Sequence, residues 1–97
     1  MVGALSEFPP NHLRSVLVGD DEYLVVRLAE EVFGLSNRCT HMGCFLSEGR
    51  LQDHVVTCTC HGSKFDVRSG AVVDGPAEAS VPTYPVVIQA GKVHLTL

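Results

Sequence analysis

Apolar positions along this chain come in short runs broken by turn-forming residues. "LRSVLV" (13–18) meets the acidic turn "GDDE", "YLVVRL" (23–28) meets "AEE", and "VFGLS" (32–36) runs into a cysteine-rich stretch. "HVVTC" (54–58), "KFDV" (64–67) and "AVV" (71–73) follow, the last two closed by "RSG" and "DGP". "YPVVIQA" (84–90) and "KVHLTL" (92–97) flank Gly91, which predicts a hairpin turn. Runs of this length, rich in β-branched and aromatic residues, predict an all-β sandwich or barrel with at most one short helix. The first dozen residues, which contain "PPN" near their end, read as irregular. There is no internal repeat and no low-complexity tract.

At 97 residues the chain predicts a single domain with one modest core. Acidic residues outnumber basic ones 11 to 7, and no Lys/Arg cluster offers a surface for phosphates, which argues against nucleic acid as a partner. No apolar run is long enough for a bilayer, so no membrane association is expected. "MVGALSEFPPNHLRS" lacks the basic-then-apolar order of a signal peptide, and the expected compartment is the cytoplasm. Four cysteines in a small chain can form a disulfide framework. The two histidines set among them direct attention to a metal instead.

All four cysteines and two of the five histidines lie in "CTHMGC" (39–44) and "CTCHGSKF" (58–65), both at strand ends. The intervening "FLSEGRLQDHVVT" can run out and back as a hairpin turning near 49–53, which sets the two loops side by side. Two ligand sets are open. Zinc could take Cys39 and Cys44 with Cys58 and Cys60, but this leaves His41 and His61 without a task. The other pairing joins C-x-H at 39–41 to C-x-x-H at 58–61, giving two thiolates and two imidazoles with Cys44 and Cys60 as a matched remainder. That is the ligand pattern of a Rieske [2Fe–2S] centre, in which two histidines replace two cysteines on one iron.

Beyond the ligands, "VFGLSNRCTH", "LSEGRL", "CHGSKFDVRSG" and "GPAEASVPTYPV" resemble the Rieske ferredoxins, small soluble carriers that serve multicomponent oxygenases. The resemblance runs from about residue 13 to the end. It implies a single Rieske domain over 1–97, a small antiparallel β-sandwich or barrel with a cluster-binding subdomain at one end, approximately 37–76. It implies that Cys39 and Cys58 bind one iron and that His41 and His61 bind the outer iron, their second ring nitrogens facing solvent. Two thiolates then neutralise the oxidised diiron–sulfide core, and the lower negative charge places the potential above that of an all-cysteine ferredoxin.

Departures from the soluble family members matter as much. Cys44 and Cys60 resemble the cysteine pair of the high-potential Rieske proteins, which implies a disulfide between the loops, worth roughly 3 kcal/mol on the chain-entropy model and protected by burial under the cluster. Ser63 stands where those proteins donate a hydroxyl to a bridging sulfide. Phe65 stands where they carry a tyrosine that donates to a cysteine ligand, so that donor is missing. Thr59 replaces the usual proline between the second-loop cysteines. Gly43 and Gly62 would let backbone N–H groups approach the sulfurs. Pro76 belongs to "DGPAEASVP", which resembles the loop that covers the cluster. Met42 is the apolar candidate for contact with a redox partner, whereas Arg38 and Lys64 read as solvated flanking charges. His12, His54 and His94 fit no ligand spacing and read as surface or strand residues.

The chain carries no dinucleotide motif and no second metal-binding triad. The resemblance therefore implies a monomeric one-electron carrier rather than an enzyme, taking electrons from a ferredoxin reductase to a terminal oxygenase. The alternatives are a small redox subunit of a nitrite- or arsenite-type oxidoreductase and, in another class, a zinc-bound interaction module.

Overall fold

The computed structural model describes residues 2–29, 31–38, 44–60, 62–75 and 79–97. Eleven short strands form three antiparallel sheets, and the described residues include no α-helix. The strands are β1 (Gly3–Ala4), β2 (Leu13–Val18), β3 (Asp21–Leu28), β4 (Glu31–Ser36), β5 (Arg50–Gln52), β6 (Val55–Thr57), β7 (Lys64–Asp66), β8 (Val72–Asp74), β9 (Thr83–Tyr84), β10 (Val86–Gln89) and β11 (Lys92–Leu95). They are ordered β1-β11-β10, β2-β3-β4-β9 and β5-β6-β7-β8.

Strand β3 explains why the second of these sheets lies in the middle. Successive side chains point to opposite faces of a strand, yet Leu24, Val25 and Val26 are all fully buried. Leu24 and Val26 join Leu35, Leu46, Val56, Cys58, Phe65, Val67 and Val81 in the larger core. Val25 faces the other way and packs with Phe8 and Val93. A strand buried on both faces reads as a continuous apolar run, which is how "YLVVRL" looks in the sequence.

The N-terminal dozen residues are not irregular, as the sequence suggested. β1 pairs with β11, Val2 N–H donates to the Val93 carbonyl (2.9 Å), and a 3-10 turn at Leu5–Glu7 delivers Phe8 into the core. Two residues of strand are too few to register in sequence, and the partner strand comes from the far end of the chain. The C-terminal hairpin turns on two residues rather than on Gly91 alone. Gln89 pairs with Lys92, and Ala90 and Gly91 both have positive φ (52° and 72°), the twist that suits a two-residue hairpin. Pro85 supplies no N–H and divides the expected 84–90 strand into β9 and β10.

The sheet β5–β8 packs on the Leu24/Val26 face of the central sheet and carries the second cysteine motif at the β6–β7 turn. Its far end is held by Asp66. That carboxylate accepts from Arg68 Nε (3.1 Å), Nη2 (3.0 Å) and backbone N–H (2.8 Å), with His54 Nε2 3.8 Å away. Hydrogen bonds from the Arg68 side chain are the main reason the Asp66 carboxyl lies below the ordinary carboxylate range. A depressed carboxyl pKa stabilises the fold above the unfolded value, and this contribution fades as pH falls through the folded one. Arg68→Ala should therefore cost stability at pH 7, and the deficit should vanish well below the carboxylate range. Because Arg68 is 53% exposed, solvent screens the pair and the cost should be small. Urea titrations of parent and variant at neutral and acid pH measure it.

Candidate metal centre

Two hairpin tips converge at one end of the β5–β8 sheet. The first leaves β4 at Ser36 and is closed by the antiparallel bridge between Arg38 and Phe45, next to Cys44. Arg38 lies over the Phe45 ring at 5.0 Å, so this expected solvated charge is stacked on an aromatic face at the neck of the tip. The second tip spans 58–63 beyond the last β6–β7 pair, Thr57 with Lys64. Cys58 N–H donates to the Ser63 carbonyl (2.8 Å), and Gly62 N–H donates to the Cys58 carbonyl (3.0 Å). Both backbone groups of Cys58 are thus fixed by the turn, and its side chain is buried at 1% exposure.

A disulfide between Cys44 and Cys60 joins the tips, as the family resemblance implied. The sulfurs of Cys44, Cys58 and Cys60 lie within 4.8 Å of one another, while Cys58 stays outside the disulfide. The zinc set of four cysteines is therefore not available in this state, because two of its members are oxidised. Cys44 is half-buried and Cys60 exposed in the protein without its cluster.

Of the four expected iron ligands, Cys58 lies among the described residues. Cys39, His41 and His61 fall outside them, as do Gly43, Met42 and Pro76. Ser63 is fully buried beside Cys58. Gly62 takes φ +79°, a conformation glycine adopts without strain, and its N–H serves the Cys58 carbonyl rather than a sulfur. Phe65 is fully buried and pairs across the sheet with Val56, so it fills the core below the tip. The third loop approaches as expected. At Gly75 (φ +95°) a Cβ would sit 2.7 Å from Ser63 Cα and 2.9 Å from the Gly62 carbonyl, contact only glycine permits. His54 sits half-buried in the β5–β6 turn, and exposed His12 has Nδ1 2.9 Å from the Pro10 carbonyl.

One residue that the motif reading passed over is Asn37. It is fully buried and bonded to both sides of the first tip. Its only sequence signal is a polar residue set between the apolar strand "VFGLS" and the first cysteine motif.

The described part of the centre offers what a thiolate iron ligand needs: a buried thiol with fixed backbone, on a tip cross-linked to the first motif-bearing loop. The comparisons agree. The Rieske [2Fe-2S] domain matches residues 1–85. The anthranilate 1,2-dioxygenase ferredoxin subunit of Burkholderia cepacia is 31% identical over 96 residues, covering 99% of this chain and 89% of that protein. The ferredoxin of carbazole 1,9a-dioxygenase from Nocardioides aromaticivorans IC177 superposes with a TM-score of 0.93 at 30% identity, over 98% of this chain and 93% of that one. A chain from the complex of reduced oxygenase and oxidised ferredoxin in carbazole 1,9a-dioxygenase gives 0.92 at 30% identity, over 98% of each chain. On that match over residues 1–85, this chain belongs to the Rieske [2Fe–2S] domain family.

Proposed function

We propose that this protein is a one-electron carrier of a multicomponent oxygenase system, accepting electrons from a reductase and delivering them to a terminal oxygenase. The observation that carries the reading is the end-to-end match to ferredoxin components of dioxygenases, one of them from a complex with its oxygenase. The match covers 98% of this chain and 98% of that one. The compartment that suits this partnership is the cytoplasm; no helix among the described residues is long and apolar enough to cross a membrane.

When bound, a Rieske [2Fe–2S] cluster supplies a one-electron couple at a higher potential than an all-cysteine ferredoxin. We assign Cys39 and Cys58 to one iron and His41 and His61 to the other, on the spacing of the two motifs and the buried thiol of Cys58. The Cys58 turn holds its thiolate in place through backbone bonds that do not depend on the metal. Gly75 lies against the turn beside Ser63.

Ser63 is the proposed donor to a bridging sulfide, a bond stronger in the more negative reduced state. Ser63→Ala should therefore lower the midpoint potential, by roughly 65 mV if the bond is worth about 1.5 kcal/mol. Protein-film voltammetry reads this directly, and an unchanged midpoint removes Ser63 from the redox site.

The carrier role is tested by single-turnover transfer. Protein reduced by an oxygenase-system reductase with NADH is mixed with oxidised terminal oxygenase, and the visible spectrum is followed in a stopped-flow cell. Transfer of one electron per chain is expected. Reduction without onward transfer to any Rieske oxygenase favours a subunit of another oxidoreductase.

A further inference from the structure

We infer that Asn37 is a positioning residue that anchors the N-terminal arm of the first cluster tip, and so sets the geometry and retention of the cluster. This rests on the assignment of Cys39 and His41 as ligands. The disulfide secures the tip at Cys44, its C-terminal end. Asn37, two residues before Cys39, secures the other end. Among the described residues, Asn37 and Ser63 are the buried polar side chains, and Asn37 has no solvent exposure at all. A buried amide is costly unless its groups are bonded, and here they are used across the neck of the tip. Oδ1 accepts from Ser47 N–H (2.8 Å), and Nδ2 donates to Ser47 Oγ (3.0 Å). Nδ2 also faces Ser15 Oγ on β2 and Glu22 Oε2 on β3, each at 3.4 Å. The main chain repeats the pattern: Leu46 N–H donates to the Asn37 carbonyl (2.9 Å), and Asn37 N–H donates to the Glu22 carbonyl (3.3 Å).

One side chain therefore ties the entry of the tip to its exit and both to the central sheet. The tip cannot tilt against that sheet without breaking these bonds. The site needs an acceptor for a backbone N–H and donors for a hydroxyl and a carboxylate, which a carboxamide supplies. Alanine leaves the Ser47 N–H without this acceptor. Aspartate keeps the acceptor but sets a second carboxylate against Glu22.

The test uses the cluster-loaded protein and four variants: Asn37→Ala, Asn37→Asp, Asn37→Asp with Glu22→Gln, and Ser47→Ala. Val25→Ala, in the core on the far side of the central sheet, is the control for lost stability alone. The readouts are the half-life of the visible cluster spectrum well below the unfolding temperature, the midpoint potential, and the line shape of the reduced-state EPR signal. Asn37→Ala should lose its cluster about tenfold faster, with a shifted potential and an altered line shape. Asn37→Asp should do likewise, and adding Glu22→Gln should restore most of the parent behaviour, because the introduced amide donates to the new carboxylate. Val25→Ala should lower the thermal midpoint and leave potential and line shape unchanged.

If Asn37→Ala behaves like Val25→Ala, the residue is merely structural and the inference is overturned. If Asn37→Ala does not fold, Ser47→Ala, which removes one acceptor, decides: a smaller change in the same direction supports the inference, and parent-like behaviour overturns it. A parent protein without a Rieske signal defeats the ligand assignment itself, whereas a normal parent with unchanged variants defeats the role of Asn37 alone.

Discussion

Cys58→Ser should yield a folded protein with no visible colour and essentially no iron. The substitution changes one atom and leaves the backbone bonds of the turn, Cys58 N–H to Ser63 and Gly62 N–H to Cys58, in place. Volume at this 1%-exposed position is nearly conserved, so the larger core should keep its packing. What is lost is a thiolate, the donor that iron–sulfur clusters require. Far-ultraviolet circular dichroism should remain that of a β-protein while the charge-transfer bands disappear. A variant that retains a full cluster would remove Cys58 from the proposed ligand set.

The second large effect concerns the cross-link. Cys44→Ser with Cys60→Ser should still take up a cluster but release it much faster on warming, because the two tips are then joined only through the sheet. The loss of stability should be at most roughly 3 kcal/mol on the chain-entropy model. Reduction of the bond offers a second test of the same effect. Parent protein incubated with dithiothreitol should drift toward the cluster lifetime of the double variant. Titration of the unfolded, unreduced parent should find Cys39 and Cys58 as the reactive thiols. Four reactive thiols would show that the pair is reduced in the purified protein.

The chemistry of the centre was legible where it is local. The motifs C-x-H and C-x-x-H name a mixed ligand set within a few residues each, and their meaning does not depend on how the rest of the chain folds. Most strands were legible for the same reason: 13–18 is β2 to the residue, and "YLVVRL" and "VFGLS" lie within β3 and β4. What escaped depends on pairing partners rather than on the local apolar pattern. β1 is two residues long and exists because β11 pairs with it. β5 holds a single apolar residue, Leu51, between Arg50 and Gln52, and its pairing with β6 makes it a strand. Asn37 looks like loop chemistry until Ser15, Glu22 and Ser47 are brought around it. The cysteine pair lay between these cases. Spacing alone also allowed zinc knuckles, though these left His41 and His61 without a task, and only the family resemblance implied the bond between Cys44 and Cys60 that the structure contains.

The ligand set itself is open to one direct measurement, the EPR spectrum of the dithionite-reduced protein, taken with iron and acid-labile sulfide counts on the same sample. The expected result is the low average g value of a cluster with mixed cysteine and histidine ligation, at two irons and two sulfides per chain as the family's [2Fe–2S] centre requires. The spectrum of an all-cysteine cluster, or a colourless protein holding a single zinc, would contradict the assignment of Cys39, His41, Cys58 and His61.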